Sequence, residues 1–278
     1  MPQDRPTSRR QRRRADREAP AASEEPEASE EASVELDWLD LLSPEASVVL
    51  EQGEIVGYQQ LTVGSNYNFV VVLRDDSTRN YLAVYKPRRG EVPLWDFPEG
   101  TLYKREYAAY LFAEALRWRF VPPTTVREGP FGVGSMQLFV KPGAARDLYE
   151  FAAECRDELC RITLFDHITN NADRKPTHIL RSDDGHVWGI DHGLTFNTDW
   201  KLRTVIWEFV EQPIPAALLD DVRALVEDAV RVSELRARMT ELISVAEFRA
   251  TLKRARRLCA SGVFPALDPG YNVPRGFW

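Results

Sequence analysis

The chain has 278 residues, 44% of them hydrophobic, and a formal net charge of −7. That is enough apolar material for a sizeable core, as one large domain or two lobes, while the negative balance argues against a nucleic-acid-binding protein. Three cysteines (Cys155, Cys160, Cys259) lack metal-ligand spacing, and no apolar run approaches a membrane span. The arginine-rich start has no apolar centre of the kind a signal peptide needs, so a cytoplasmic protein is expected.

Residues 1–35 are predicted to be a disordered tail, basic and then acidic. Seven arginines fall between Arg5 and Arg17 against Asp4 and Asp16, and from residue 18 to 35 the only charges are glutamates, set among Ala, Pro and Ser. Neither block can bury enough apolar surface to offset chain entropy. The basic block could make weak electrostatic contacts with acidic lipid or nucleic acid. The plainer reading, a solubilising tail that folds back on its own acidic neighbour, is preferred.

Residues 36–140 read as a β-rich lobe. Ser43-Pro44-Glu45 is a helix start, and that helix is expected to end at Gly53. Strand-like runs follow, Ile55 to Val63 and Phe69 to Leu73, around the loop Gly64-Ser65-Asn66-Tyr67-Asn68. Backbone N–H groups of such a loop can lie over phosphates, although this one has a single glycine. A third strand, Tyr81 to Tyr85, ends in Lys86-Pro87, and a lysine closing the third strand after such a loop is where kinases hold the α and β phosphates of ATP. Residues 88–100 are a loop. The next helix, Leu102 to Trp118, places Glu106, Ala109, Tyr110, Ala113 and Leu116 on one face. A carboxylate on a buried face needs a partner, so Glu106 is expected to pair with Lys86, with Glu99 and Glu114 as rivals. A hairpin turning at Phe131–Gly134 leads into the strand Ser135 to Val140. The break at Lys141-Pro142-Gly143 would be a hinge, where backbone groups near Phe139, Val140 and Lys141 hydrogen-bond adenine.

Residues 141–278 read as a mostly helical lobe. A helix over 146–169 is stopped by Asn170-Asn171, and the next stretch carries two carboxylates. Asp173 falls in a loop before a hairpin that turns at Ser182-Asp183-Asp184-Gly185, and Asp191 falls just past its second strand. Both can point into one cleft. The run Asp173-Arg-Lys-Pro-Thr-His178 resembles the protein-kinase run Asp-x-Lys-Pro-x-Asn, and Ile190-Asp191-His192-Gly193 resembles Asp-Phe-Gly. On that pattern Asp173 is catalytic, receiving or orienting the acceptor's hydroxyl proton, with Asp166 the next candidate for the base. Lys175 reaches the transferred phosphate and Asp191 holds Mg²⁺. His178 stands where those kinases have a metal-binding Asn. Three roles stay open for it: ligand to a softer ion such as Mn²⁺, phosphate contact when protonated, or packing alone. Helices over 216–240 and 245–259 follow, and the aromatic tail from Gly262 to Trp278 is expected to pack down.

Six ordered segments resemble the phosphatidylinositol 3/4-kinase superfamily, most closely its type II phosphatidylinositol 4-kinase branch: Val84–Pro87, Arg105–Ala109, Val121–Thr124, Gly134–Val140, Asn171–Arg174 and Gly189–Phe196. The wording also resembles uncharacterised bacterial proteins assigned to that superfamily. The resemblance covers about residues 55–196. It implies an α+β, two-lobed atypical protein/lipid-kinase-like fold, ATP and a divalent metal (Mg²⁺, with Mn²⁺ as an option), and roles for Lys86, Asp173 and Asp191. It leaves the hydroxyl acceptor open among a protein, a metabolite and a lipid headgroup, because the cysteine-rich membrane-attachment segment of the eukaryotic lipid enzymes has no match here. The alternative function is a non-catalytic nucleotide-binding or scaffold module.

Overall fold

The computed structural model describes residues 35–62, 66–141, 143 and 148–274. The expected tail therefore lies outside the described residues apart from Glu35, as do the loop residues Gly64 and Ser65 and the aromatics Phe277 and Trp278.

Alternating apolar side chains build a five-stranded antiparallel sheet from β1 (Glu54–Gln60), β2 (Phe69–Arg74), β3 (Asn80–Pro87), β4 (Thr124–Gly129) and β5 (Gly132–Leu138), in the order β1-β2-β3-β5-β4. The period of two sends Phe69, Val71, Leu73, Tyr81, Ala83 and Tyr85 to one face, where helix α1 (Pro44–Gln52) covers them with Ala46, Val49 and Leu50. The opposite parity, Val70, Val72, Leu82, Val84 and Lys86, is half-buried on the other face. Val70 pairs with Val84, and Lys86 with Ser135.

Helix α2 (Leu102–Ala115) is buried nearly all round rather than along one stripe. It carries Ala108, Leu111, Phe112 and Ala113 into the core of the second lobe. That lobe consists of α3 (Leu148–Phe151), α4 (Arg156–Thr169), the short hairpin β6 (Ile179–Arg181) and β7 (Val187–Gly189), α5 (Ala216–Val226), α6 (Ala229–Met239) and α7 (Val245–Ser261).

Strand β1 ends at Gln60 rather than Val63 and α2 at Ala115 rather than Trp118, and larger differences from the sequence reading lie elsewhere. The helix expected over 146–169 is two helices, and the second starts at Arg156 with Asp157 and Glu158 in its first turn, where acids favour the helix dipole. The helix expected over 216–240 divides at Asp228, whose carboxylate accepts from the N–H groups of Val230 and Arg231 and so starts α6. The β4–β5 turn comes earlier than expected, at Gly129–Gly132, because Gly132 takes a φ of +94°. Among the described residues, no helix is long and apolar enough to cross a membrane.

Candidate active site

Lys86 stands on the half-buried face of β3, and its Nζ donates to Glu106 Oε1 at 2.5 Å and to Asp191 Oδ1 at 2.8 Å. One ammonium thus joins the sheet, α2 and the turn after β7. Gly134 permits this close packing, since a Cβ there would stand 2.5 Å from the Lys86 carbonyl oxygen. The rivals Glu99 and Glu114 are exposed. Glu106 is buried, and its Oε2 accepts from the His192 N–H at 2.8 Å. Burial raises the Glu106 carboxyl above its ordinary pKa, partly countered by Lys86. Burial also works against ionised Asp191, but Lys86 outweighs it and holds that carboxyl far below the usual range. For Lys86 the two carboxylates likewise overcome burial and raise the ammonium's pKa. Asp191 has a left-handed backbone (φ 59°), uncommon for a non-glycine, and keeps 45% of its side chain accessible.

The catalytic-loop candidates are set by the end of α4. Asn170 closes that helix in the left-handed conformation (φ 58°), and the next residue turns back. Asn171 Oδ1 accepts from the Asp173 N–H at 3.0 Å, while its Nδ2 donates to Asp166 Oδ1 at 3.0 Å. The Asp173 carboxylate is 2.8 Å from Lys175 Nζ. Burial raises its pKa and Lys175 opposes that shift.

Between the two carboxylate loops lies Arg174, with 0% of its side chain exposed. It donates from Nε and Nη2 to the two oxygens of Asp166 (2.7 and 2.8 Å), and from Nη1 to the carbonyls of His178 (3.1 Å) and Ile190 (2.9 Å). Its Nη2 is also 2.9 Å from His192 Nε2. Because a guanidinium only donates, His192 accepts there and carries its proton on Nδ1. Asp166, 1% exposed with both oxygens engaged by Arg174, is closed to an acceptor's proton, which corrects its reading as a reserve base.

His178 is buried, and its Nδ1 accepts from the Lys175 N–H at 3.4 Å. The ring proton therefore belongs on Nε2, which lies 3.2 Å from Asp191 Oδ2. Burial lowers its pKa to about 4, so the ring is neutral at pH 7. In this tautomer no lone pair of His178 faces the Asp191 carboxylate, and among the described residues no group of three or more His, Cys, Asp or Glu forms a metal cage. The donor that remains, the Asp191 carboxylate, is hard oxygen. It suits Mg²⁺ or Mn²⁺ with further oxygens from phosphate and water.

A nucleotide finds partial fits. Val70 and Val84 form an apolar roof beside Lys86. The Phe139 N–H is spent on Leu82 O at 2.9 Å, whereas among the described residues no backbone partner engages Val140. Asn66 Oδ1 accepts from the Val92 N–H at 2.8 Å, so this side chain ties the β1–β2 loop to the segment after β3. A cavity of about 550 Å³ opens elsewhere, lined by Arg88, Arg89, Phe97 and Phe131, and neither Lys86 nor Asp191 borders it.

Two buried pairs were not expected from sequence. One is Asp166–Arg174; the other is Arg105, which pairs with Glu247 at 2.7 Å and donates to Thr195 O at 2.7 Å. The sequence carried little signal for either: Asp166 lies near the end of α4, and Arg105 stands between Lys104 and Glu106 in a run of charges that reads as a solvated face.

A five-stranded antiparallel sheet above a helical lobe, with a strand lysine paired to a helix glutamate at their junction, is an α+β kinase-like fold. The solved structure of hydra Fam20 with sugar agrees on the fold, matching with a TM-score of 0.51 at 12% identity, over 78% of this chain and 86% of that one. The Helicobacter pylori proinflammatory kinase CtkA matches at 0.46 and 11% identity, over 76% of this chain and 93% of that one. No protein-family model matches. Protein Rv2133c of Mycobacterium tuberculosis (strain ATCC 25618 / H37Rv) is 36% identical over 271 residues, covering 84% of this chain and 95% of that protein, and the chain belongs to its family.

Proposed function

We propose that this chain is an ATP-dependent phosphotransferase of the phosphatidylinositol 3/4-kinase-like type, acting in the cytoplasm on a hydroxyl acceptor, with its lobes meeting at a hinge after Val140. The observation that carries the reading is the double pairing of Lys86 with Glu106 and Asp191, beside a loop that presents Asp173 and Lys175. Lys86 contacts the α and β phosphates, steadied by Glu106. Asp191 is the carboxylate ligand of Mg²⁺ or Mn²⁺, which when bound neutralises phosphate charge. His178, whose Nε2 lies 3.2 Å from Asp191 Oδ2, packs against that carboxylate and fixes its orientation. Asp173 orients the acceptor hydroxyl and takes its proton as the oxygen–phosphorus bond forms and the bond to ADP breaks. Its raised pKa suits a base better than an ordinary carboxylate would. Lys175 faces the transferred phosphoryl group.

The test is ATP turnover by the purified chain with Mg²⁺ or Mn²⁺, beside Asp173→Asn, with nucleotide binding followed by thermal shift. Asp173→Asn should bind ATP and lose turnover by several powers of ten, in scale with a catalytic role. ATP binding by wild type without turnover across an acceptor screen points to the scaffold alternative. No ATP-dependent shift in wild type sinks the nucleotide site itself.

A further inference from the structure

Arg203 lies on the segment that follows the Asp191 turn, and the catalytic loop grips its backbone on both sides. Its N–H donates to Asn171 O at 2.9 Å, and its carbonyl accepts from the Arg174 N–H at 3.0 Å. The C-terminal turn holds the flanking residues: Asn272 Nδ2 donates to Leu202 O at 2.6 Å, and the Thr204 N–H donates to Asn272 O at 2.9 Å. The guanidinium lies over the Tyr271 ring, 5.5 Å from its centroid, and the Tyr271 hydroxyl donates to Trp200 O at 2.8 Å. The side chain is therefore held in place before any ligand arrives.

What it lacks is an acceptor. The other arginines of this region spend their donors: the buried Arg105 on Glu247 and Arg174 on Asp166, and the part-buried Arg254 on the carbonyls of Ile168 and Asn197. Arg203 is half-buried, yet among the described residues no carboxylate or carbonyl accepts from its guanidinium, although that group carries five donors in a planar fork. Its charge is felt at Asp173, where it helps to draw the carboxyl down against burial. A planar, pre-ordered fork of donors matches a phosphate or carboxylate bidentately. Tyr271, over which the guanidinium lies, is exposed, so the fork is open to such a group.

We propose that Arg203, stacked on Tyr271 beside Asp173, anchors an anionic group of the acceptor, a phosphate or carboxylate carried close to the hydroxyl that receives the phosphoryl group. This rests on the phosphotransfer reading of the same site, and it narrows the acceptor to an acidic hydroxyl compound.

The test is calorimetric titration of the full chain with glycerol 3-phosphate, glycerate and glycerol. The two anions are expected to bind and neutral glycerol not to, and tighter binding of one anion identifies phosphate or carboxylate as the preferred group. Arg203→Ala should weaken anion binding at least about tenfold, in scale with the loss of a charge-assisted bidentate contact. Arg203→Lys should keep part of it, and Tyr271→Ala should weaken it several-fold by releasing the stack. Tyr271→Ala carries the test if Arg203→Ala does not fold. Lys86→Ala should leave anion binding unchanged. The proposal is overturned if neither anion binds wild type, if Arg203→Ala binds as well as wild type, or if Lys86→Ala weakens the anion equally, which would put it in the nucleotide's phosphate site. Anion binding that depends on Arg203, in a protein that gives no thermal shift with ATP, would retain this site and overturn the phosphotransfer reading alone.

Discussion

Replacing Arg174 by leucine tests the buried frame of the site most directly. The side chain is wholly enclosed, it is the bidentate partner of an equally buried Asp166, and it donates to two carbonyls from different loops. Removing one member of such a pair leaves a buried charge without compensation, at a cost of about 3–5 kcal/mol. At about 2–4 °C per kcal/mol for a chain of this class, Arg174→Leu should lower Tm by roughly 6–20 °C. The double variant Asp166→Leu/Arg174→Leu removes both charges and should recover part of the loss. It should not recover all of it, because the carbonyls of His178 and Ile190 still lose their donor, at about 1–3 kcal/mol for each group left unsatisfied. Urea titrations followed by far-UV circular dichroism would measure the cycle. A single variant costing less than about 1 kcal/mol, or a double variant costing the sum of the singles, would refute the account of Arg174 as a charge that exists for its partner.

Glu106→Ala leaves Lys86 with Asp191 alone and strips the His192 N–H of its acceptor; both stability and the ATP-dependent thermal shift should fall, and an unchanged shift would remove Glu106 from the nucleotide site. His178→Asn restores the residue that kinases carry at this position, and should preserve ATP binding while shifting metal preference toward Mg²⁺ in parallel titrations. If Mn²⁺-supported binding disappears without a gain in Mg²⁺, His178 is itself a ligand. His167, buried between Trp200 and Phe264, has its pKa lowered to about 4 by burial. A histidine that resists protonation in the folded state contributes stability that is full above the unfolded pKa of about 6.5 and is lost as pH falls toward 4, at most about 3 kcal/mol. His178 shifts in the same direction, so His167→Phe should flatten only part of the acid limb of the stability profile, and an unaltered limb would show that the ring is not sequestered.

How much of this was legible depends on which physical signal each residue carries. Lys86 and Glu106 could be found because strand end and helix face are periodic properties, and a lone acid on a buried face demands a cation. Asp173 and Asp191 could be found because they flank a hairpin whose turn residues are explicit. The Asp166–Arg174 pair could not: Asp166 reads as a helix-end acid and Arg174 as a loop cation, and only the reversal of the chain at Asn170 brings them together. The division at Asp228 was missed for a different reason. Apolar spacing runs on across it, and a single capping carboxylate decides the break. The Asn66 side chain holds the Val92 N–H, a fold contact beyond the backbone role expected of that loop and one that local sequence does not contain.

The ionisable groups of the site divide by exposure, and the division follows their work. Arg174, Asp166, His192 and Glu106 are buried, with Arg174 bonded to Asp166, to His192 and to two carbonyls and Glu106 accepting from the His192 N–H, whereas Lys86, Asp173, Lys175 and Asp191 keep part of their surface open. A buried ion pair is weak evidence for stability, since apolar residues of similar volume do as well or better. What apolar residues cannot do is hold two loops in register through directional donors, and Arg174 does so by reaching His178 O and Ile190 O from the residue next to Asp173. Phosphoryl transfer asks for placed charges more than for reactive side chains. The enclosed set sets the spacing of the Asp173 and Asp191 loops, and on the proposed reading the open set would meet the ligands. Substitutions in the enclosed set should therefore change stability and activity together, while those in the open set should change activity at nearly constant Tm. A stability loss as large from Asp173→Asn as from Arg174→Leu would show that no such division exists.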